Sequence, residues 1–350
     1  MPDIGLITNT SGGVYTSTRN LAKYLSKRGF TFHIYYLSQL SASNLLDFLK
    51  KNVDLIHTNY SSTLPILLCK RLKRRIPIVY TVRGKPQPWL APSLFLRAGY
   101  SVENIFLHLS RKYIDLHISV SNFVKQQLLK KYGINSIVIY NGIDLSSVRP
   151  RKKDKAKIEL GFSEEDLLIL FVGKLRPVKD PITLIKAFYL TLNSFKSKKK
   201  HLHLLIAGDG ELKNVIASII KRLKIEENVH LFGWISKEKL AVLYSAADIF
   251  VLPSISEACP NAILEALAYG KSIISANNGG GSELIGNAGL VFKPQDFREL
   301  HKKITSLINN YELLHRLAQL AKRRAKLFSV KLMAKKYERV YKKLLEDNKV

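Results

Sequence analysis

Two glutamates eight positions apart, Glu257 and Glu265, stand in the segment SISEACPNAILEALAYG of a chain rich in cations. Carboxylates are good acceptors for the hydroxyls of a sugar or a ribose. The loop FVGKLRPVKD offers the opposite chemistry, with Lys174, Arg176 and Lys179 following Gly173. Cations spaced that closely on a strand-to-helix loop can neutralise a diphosphate without a metal ion. In TNTSGGVYTSTRNLAKYL, Gly12 and Gly13 fall between a strand and a helix, where bare N–H groups and a helix N-terminus can meet an anion. That segment matches neither the dinucleotide fingerprint nor a phosphate-binding P-loop. LLIAGDGEL places Gly208, Asp209 and Gly210 in a similar turn, and LFGWIS places Gly233 in another. Each feature also has a plain reading: a solvated basic loop, turns needed to pass from sheet to helix, or an acid that favours its own helix N-terminus. The recurrence of such turns at strand ends says more than any one of them.

Short β-branched or apolar runs alternate with amphipathic helical segments, the pattern of βαβ units and parallel sheets. The first series of expected strands is Ile4–Thr8, Phe32–Leu37, Leu55–Thr58, Ile78–Val82, Leu116–Val120 and Ile137–Tyr140. A second begins afresh with Leu167–Val172, Leu202–Ala207, Val229–Phe232, Ile249–Leu252, Ser272–Ser275 and Gly289–Phe292. Two series predict two doubly wound α/β domains, residues 1–150 and 151–329, joined through the polar stretch NGIDLSSVRPRKKDKAKIELGFSEEDL. Ligands of open parallel sheets bind beyond the carboxyl ends of the strands, so an interdomain cleft is expected. Within the second series, Glu257 falls in a loop, and Pro260 and Asn261 start a helix that carries Glu265 and ends near Gly270.

A chain of 350 residues suits two domains, and a 46% hydrophobic content argues against disorder. No apolar run reaches the length of a membrane span, and a strand follows Met1 with no leader pattern, so a cytoplasmic protein is expected. Two cysteines, Cys69 and Cys259, make neither a disulfide framework nor a metal cluster. The formal net charge of +29 is spread over both halves and attracts polyanions. Clusters occur at KRLKRR (Lys70 to Arg75), KSKKK (Lys196 to Lys200), KRRAK (Lys322 to Lys326) and KKYERVYKK. A nucleic-acid-binding protein would fit the charge alone, but no reader fold or stacking-aromatic signature accompanies it. His57 and His117 alternate within strands and read as structural.

In order along the chain, SGGVYTSTRNLAKYLSKRGF, SVSNFVKQQLLKKYG, VIYNGID, FVGKLRPVKD, AGDGEL, DIFVLPSISEACPNAILEALAYG and NNGGGSELI carry a family resemblance. The chain resembles the retaining nucleotide-sugar glycosyltransferases of family four, whose GT-B fold is two facing Rossmann-like domains. The resemblance implies that a final helix, roughly residues 330–350, packs back on the first domain. It implies that Lys174 and Lys179 bind the donor diphosphate, Lys174 standing where many members carry arginine. Glu257 is implied as the acid beside the donor sugar, with Ala258, Cys259, Pro260 and Asn261 presenting backbone amides, and Glu265 as the acid that holds the ribose hydroxyls. The resemblance also implies Gly12 and Gly13 as the turn that approaches the donor phosphates or the acceptor, and Gly173, Gly208, Asp209 and Gly210 as donor-binding turns. Where many relatives have a histidine before glycine, this chain has Arg83 before Gly84. Arginine cannot act as a base near neutrality, so Arg83 is expected as an anion or sugar contact and no catalytic histidine is carried over.

The implied reaction moves a sugar from a nucleotide sugar to an acceptor hydroxyl with retention. No Asp-x-Asp occurs, so neither a metal nor another cofactor is expected. Basic clusters among apolar residues on first-domain helices, including RAGYSVENIFLHLSRK, suggest an anionic membrane surface and a lipid-linked or cell-envelope glycan acceptor. A nucleotide-sugar epimerase, or a related sugar-phosphate enzyme, shares the architecture and is the alternative.

Overall fold

The structure, a computed structural model, describes residues 1–10, 12–37, 41–73, 75–84, 94–195 and 201–348. The KSKKK cluster, Arg74 and the segment after Gly84 in RGKPQPW lie outside the described residues. In chain order the elements are β1 Asp3–Thr8, α1 Gly12–Ser26, β2 Thr31–Tyr36, α2 Ala42–Lys50, β3 Leu55–Thr58, α3 Leu64–Lys73, β4 Ile78–Val82, α4 Leu94–Tyr113, β5 Leu116–Ser119, α5 Asn122–Tyr132 and β6 Ile137–Val138. They continue as α6 Lys153–Glu159, β7 Leu167–Val172, α7 Pro181–Ser194, β8 Leu202–Ala207, α8 Lys213–Leu223, β9 Val229–Gly233, α9 Lys237–Ala246, β10 Ile249–Leu252, α10 Asn261–Ala268, β11 Ser272–Ala276, α11 Gly280–Ile285, β12 Gly289–Phe292, α12 Phe297–Asn309, α13 Tyr311–Ala325 and α14 Val330–Asp347. The chain divides into two compact units, Met1–Asp144 with Phe328–Val350, and Leu145–Leu327.

Unit one holds a parallel sheet in the order β2-β1-β3-β4-β5-β6. Its inner strands are buried on both faces, which is why LIHT and IVYTV read as unbroken rather than alternating runs. β6 is a two-residue edge strand, shorter than the apolar run from Ile137 to Tyr140, because only Ile118 and Ser119 offer it partners. α1 buries Leu21 and Leu25, and the chain leaves it through a Schellman turn at Gly29, with Phe30 N–H on Leu25 O at 3.2 Å and Gly29 N–H on Ser26 O at 3.3 Å.

α14 packs Val330, Met333, Ala334, Tyr337 and Tyr341 into the same core as Ile4, Leu21, Leu25, Leu55 and Val79. A polar chain fixes its position along the sheet. Tyr341 OH lies 2.6 Å from His57 Nδ1, His57 Nε2 lies 2.8 Å from Thr81 Oγ1, and Thr81 Oγ1 lies 2.9 Å from Tyr337 OH. Burial, helped by the Arg83 charge, lowers the His57 pKa to about 3, so the ring stays neutral. His117, bonded to Ser110 Oγ at 2.9 Å, is lowered by burial to about 4. Both histidines are structural.

The KRLKRR cluster is less of a surface patch than its composition suggests. Lys70 is buried, with its ammonium on the carbonyls of Phe48 and Lys51 at the C-terminal end of α2, where a cation meets the negative end of the helix dipole. Arg71 is bidentate to Asp115, at 3.0 and 3.1 Å.

Unit two holds a parallel sheet in the order β12-β11-β10-β7-β8-β9. LLILFV, LHLLIA and IFVL form its buried centre. Chain order reverses between β10 and β7, which pair through Ile249 with Ile169 and Phe250 with Leu170. At such a switch point the loops leaving the two strands diverge to opposite faces of the sheet and leave a crevice at the carboxyl ends.

Candidate functional site

In unit two, the segments leaving β7 and β10 carry the cations and the first glutamate. After β7 the chain passes Gly173 and Lys174, makes a 3₁₀ turn over Pro177–Lys179, and enters α7 through Asp180. Asp180 adopts φ 49° and caps the helix, its carboxylate accepting from Thr183 N–H at 3.3 Å. Ile255 N–H donates to Val178 O at 2.8 Å, which fastens the loop after β10 to this turn. Lys179 Nζ thereby forms an ion pair with Glu257 Oε1, with side-chain exposures of 26% and 10%. Lys174 is exposed on the same loop.

The loop after β11 holds Glu257 from the other side. Gly280 N–H donates to Glu257 O at 3.1 Å, and Glu257 pairs with Gly279 in an isolated bridge. A Cβ at Gly280 would lie 2.1 Å from Ala258 O, so only glycine allows this approach. Asn278 ties the same loops, donating from Nδ2 to Ser254 O at 2.7 Å and accepting from Gly281 N–H at 3.1 Å. Ser254 Oγ and Asp180 Oδ2 are buried beside these loops with no hydrogen-bond partner among the described residues.

Four residues beyond Glu257, α10 begins at Asn261, with Pro260 as its N-cap and Cys259 buried before it. Pro260 corrects the expectation of amides along the whole run, since it has no N–H to present and its carbonyl instead accepts from Ile263 and Leu264. Glu265 lies one turn into α10, with an edge still reaching solvent. Tyr244 of α9 contacts its Oε2 at 2.9 Å. Burial pushes the Glu265 carboxyl up to about 7, and the Tyr244 hydrogen bond and the Lys237 charge pull the other way. Tyr244 itself is buried and stacks on Tyr269 at 5.2 Å.

The turn at Gly208, Asp209 and Gly210 packs directly on the β7 loop. Leu175 N–H donates to Asp209 O at 3.0 Å, and a Cβ at Gly208 would fall 1.9 Å from Gly173 O. The Asp209 carboxylate is held by Gly210 N–H at 2.7 Å and by Lys213 at 3.4 Å, interactions that keep its pKa low.

In unit one, Gly12 and Gly13 open α1, Gly12 with φ 82°. Arg83, just past β4, is half-buried. It donates to Asn59 Oδ1 at 2.8 Å, Asn141 Oδ1 at 2.6 Å and Thr18 Oγ1 at 3.3 Å. Asn59 Nδ2 donates in turn to Ile7 O at 3.1 Å, and Ser17 Oγ to Asn141 Oδ1 at 3.1 Å. The guanidinium therefore joins the ends of β1, β3 and β4 to α1.

Tyr244, Asn278, Asn59 and Asn141 are the site residues that sequence reasoning missed. Asn278, beside the glycines of NNGGG at a strand end, carried a usable signal. Tyr244, at core spacing on a helix, carried none.

Comparison with known proteins adds to this geometry. The model of glycosyl transferases group 1 matches residues 152–324, and that of Glycosyltransferase Family 4 matches residues 35–147. N-acetyl-alpha-D-glucosaminyl L-malate synthase of Bacillus anthracis is 26% identical over 312 residues, 86% of this chain and 77% of that protein. Among solved structures, sucrose-phosphate synthase (tll1590) from Thermosynechococcus elongatus aligns with a TM-score of 0.84 at 19% identity, over 99% of this chain and 100% of that one. Anabaena Alr3699/HepE, in complex with UDP-glucose, aligns at 0.80 and 19% identity, over 98% of this chain and 100% of that one. Two doubly wound parallel sheets and family matches along both of them lead to one conclusion: the chain belongs to the group 1 glycosyl transferases, with the GT-B type of fold.

Proposed function

We propose that this glycosyltransferase moves a sugar from a nucleoside diphosphate sugar to an acceptor hydroxyl with retention of configuration, using neither a metal ion nor a cofactor. The observation that carries the reading is the Lys179–Glu257 pair at the β7/β10 switch point, with Lys174 on the same loop. A leaving diphosphate gains charge as the glycosidic bond breaks, and preorganised ammonium groups stabilise that charge most where it grows. Lys179 and Lys174 take the diphosphate. Glu257, released from Lys179, accepts from donor-sugar hydroxyls, and Glu265 accepts from the ribose. The complex of the Anabaena protein with UDP-glucose supports a donor of this class.

The acceptor is a lipid-linked or cell-envelope glycan, reached at an anionic membrane surface. α4 supports this, because Val102, Ile105, Leu109 and Tyr113 recur at helical spacing with exposures of 41–59%, and Arg111 and Lys112 follow in its last turn. No helix among the described residues is long and apolar enough to cross a membrane.

Incubation with UDP-, GDP- and ADP-sugars plus lipid-linked acceptors, with the anomeric configuration of products read by NMR, tests the reaction. An axial donor linkage should remain axial in the product, with activity surviving EDTA. An inverted product, or an altered donor sugar with no acceptor glycosylated, sinks the reading. Sedimentation with phosphatidylglycerol vesicles at low salt tests the membrane, and failure to co-sediment rejects that part.

A further inference from the structure

Tyr244 and Glu265 present a shortage of hydrogens. Tyr244 Oη lies 2.9 Å from Glu265 Oε2 and 3.2 Å from the carbonyl oxygen of Ala262, and a phenol has a single hydrogen to give. With an ionised carboxylate the phenol can serve only one of these acceptors fully. With a proton on Glu265, the carboxyl O–H donates to Tyr244 Oη and the phenol donates to Ala262, so both contacts become hydrogen bonds. The surroundings favour that arrangement. Tyr244 is 1% exposed and lies between the rings of Phe250 and Tyr269.

Of the charged groups around α10, Arg149 and Arg151 act on Tyr269 at its C-cap, Arg149 being bound to the carbonyls of Ser146 and Val148 and Arg151 paired with Glu159, and the others are engaged or distant. On α9, Lys237 acts on the carboxyl only across space. Lys271, at the start of β11, is bound to the carbonyls of Ser245 and Ala247 at 3.1 and 2.9 Å. From α13, Arg324 is bound to the carbonyls of Glu283 and Leu284, and Lys322 packs over Gly270 beyond the helix end. Glu283 is the acidic residue of α11. No ammonium or guanidinium forms an ion pair with Glu265 among the described residues.

We infer that Glu265 is a proton-coupled ribose acceptor: it holds a proton with Tyr244 in the ligand-free protein and releases it to solvent when a nucleotide binds. The inference rests on the reading of Glu265 as the residue that meets the ribose. A ribose diol brings two O–H donors, which only the ionised carboxylate can accept on both oxygens. The proton lost from Glu265 passes to the buffer, and the Tyr244 hydrogen turns from Ala262 to Oε2. Tyr244 is thus a positioning residue, setting the rotamer of Glu265 and the pH at which it lets go.

Titration calorimetry of UDP, GDP and ADP, in two buffers of different ionisation enthalpy, counts the protons released. At pH 7 the parent should release about half a proton more per nucleotide than Glu265→Gln, which subtracts the titration of the phosphates themselves. The difference should approach one near pH 5.5 and vanish near pH 9. Tyr244→Phe removes a hydrogen bond to the ionised form, so its proton-release profile should move to higher pH, with weaker binding at pH 7 that recovers in alkali. Binding without a difference between the parent and Glu265→Gln overturns the coupling and leaves the donor reading intact. An unshifted profile in Tyr244→Phe overturns the role of the phenol. If none of the three nucleotides binds, the donor reading falls and the coupling falls with it.

Discussion

The polar centres of the two units are built on opposite plans. In unit one, the Arg83 guanidinium donates to amide and hydroxyl oxygens, and the His57 ring meets a threonine and a tyrosine. In unit two, Lys179 faces the carboxylate of Glu257, and Glu265, with an edge reaching solvent, meets one phenol. A cation paired with a carboxylate can trade it for a phosphate. Unit one thus uses polar groups to dock α14 and close strand ends, whereas the proposed function has a ligand separate the pairs of unit two.

The sharpest way to separate the two plans is pH, because the buried groups respond with opposite sign. The folded-state pKa of His57 is lowered to about 3 from 6.5, so the unfolded chain takes up a proton first. Its neutral form is fully compatible with the fold above pH 6.5. Stability is then lost as pH falls, approaching roughly 4–5 kcal/mol near pH 3. Glu265 is raised to about 7 from 4.5, so its contribution is fully present below 4.5 and is lost as pH rises through 7, by roughly 3 kcal/mol. Hydrogen exchange read separately on β3 and β4 and on α10 should show protection falling as pH drops below 6.5 for the first and as pH rises from 4.5 to about 7 for the second. Parallel behaviour would break the comparison.

Activity separates the plans next. Lys179→Ala should lower kcat/KM by about 10²–10³-fold, the usual loss when a donor to developing charge is removed. Arg83→Met should lower stability by about 2–3 kcal/mol, visible as a drop in Tm, as the Asn59 oxygen loses its donor and Asn141 retains Ser17. The smallest effect belongs to Lys174→Arg, which keeps the charge and adds a bidentate fork. A change in KM of no more than about threefold is expected from steady-state kinetics.

How much of this was legible in the sequence follows from where each signal lives. Parallel strands buried on both faces are continuous apolar runs, so Leu167–Val172, Leu202–Ala207 and Ile249–Leu252 fall where those runs place them. The loop residues Lys179 and Glu257 were legible because charge and carboxylate at strand ends are unusual. Their contact was not, because it depends on the Ile255 to Val178 backbone bond and on the close approach at Gly280. Lys70 was misread as surface charge because composition does not reveal that its ammonium caps α2. The partners of Arg83 come from positions far apart along the chain, which no local pattern can assemble.

The central claim is that Lys179 exchanges Glu257 for the diphosphate of a donor. Calorimetric titration of UDP, GDP and ADP against the parent and Lys179→Ala tests it directly. The nucleotide bound by the parent is expected to lose at least about tenfold in affinity in Lys179→Ala, equivalent to about 1.4 kcal/mol. Undiminished binding in Lys179→Ala would contradict it.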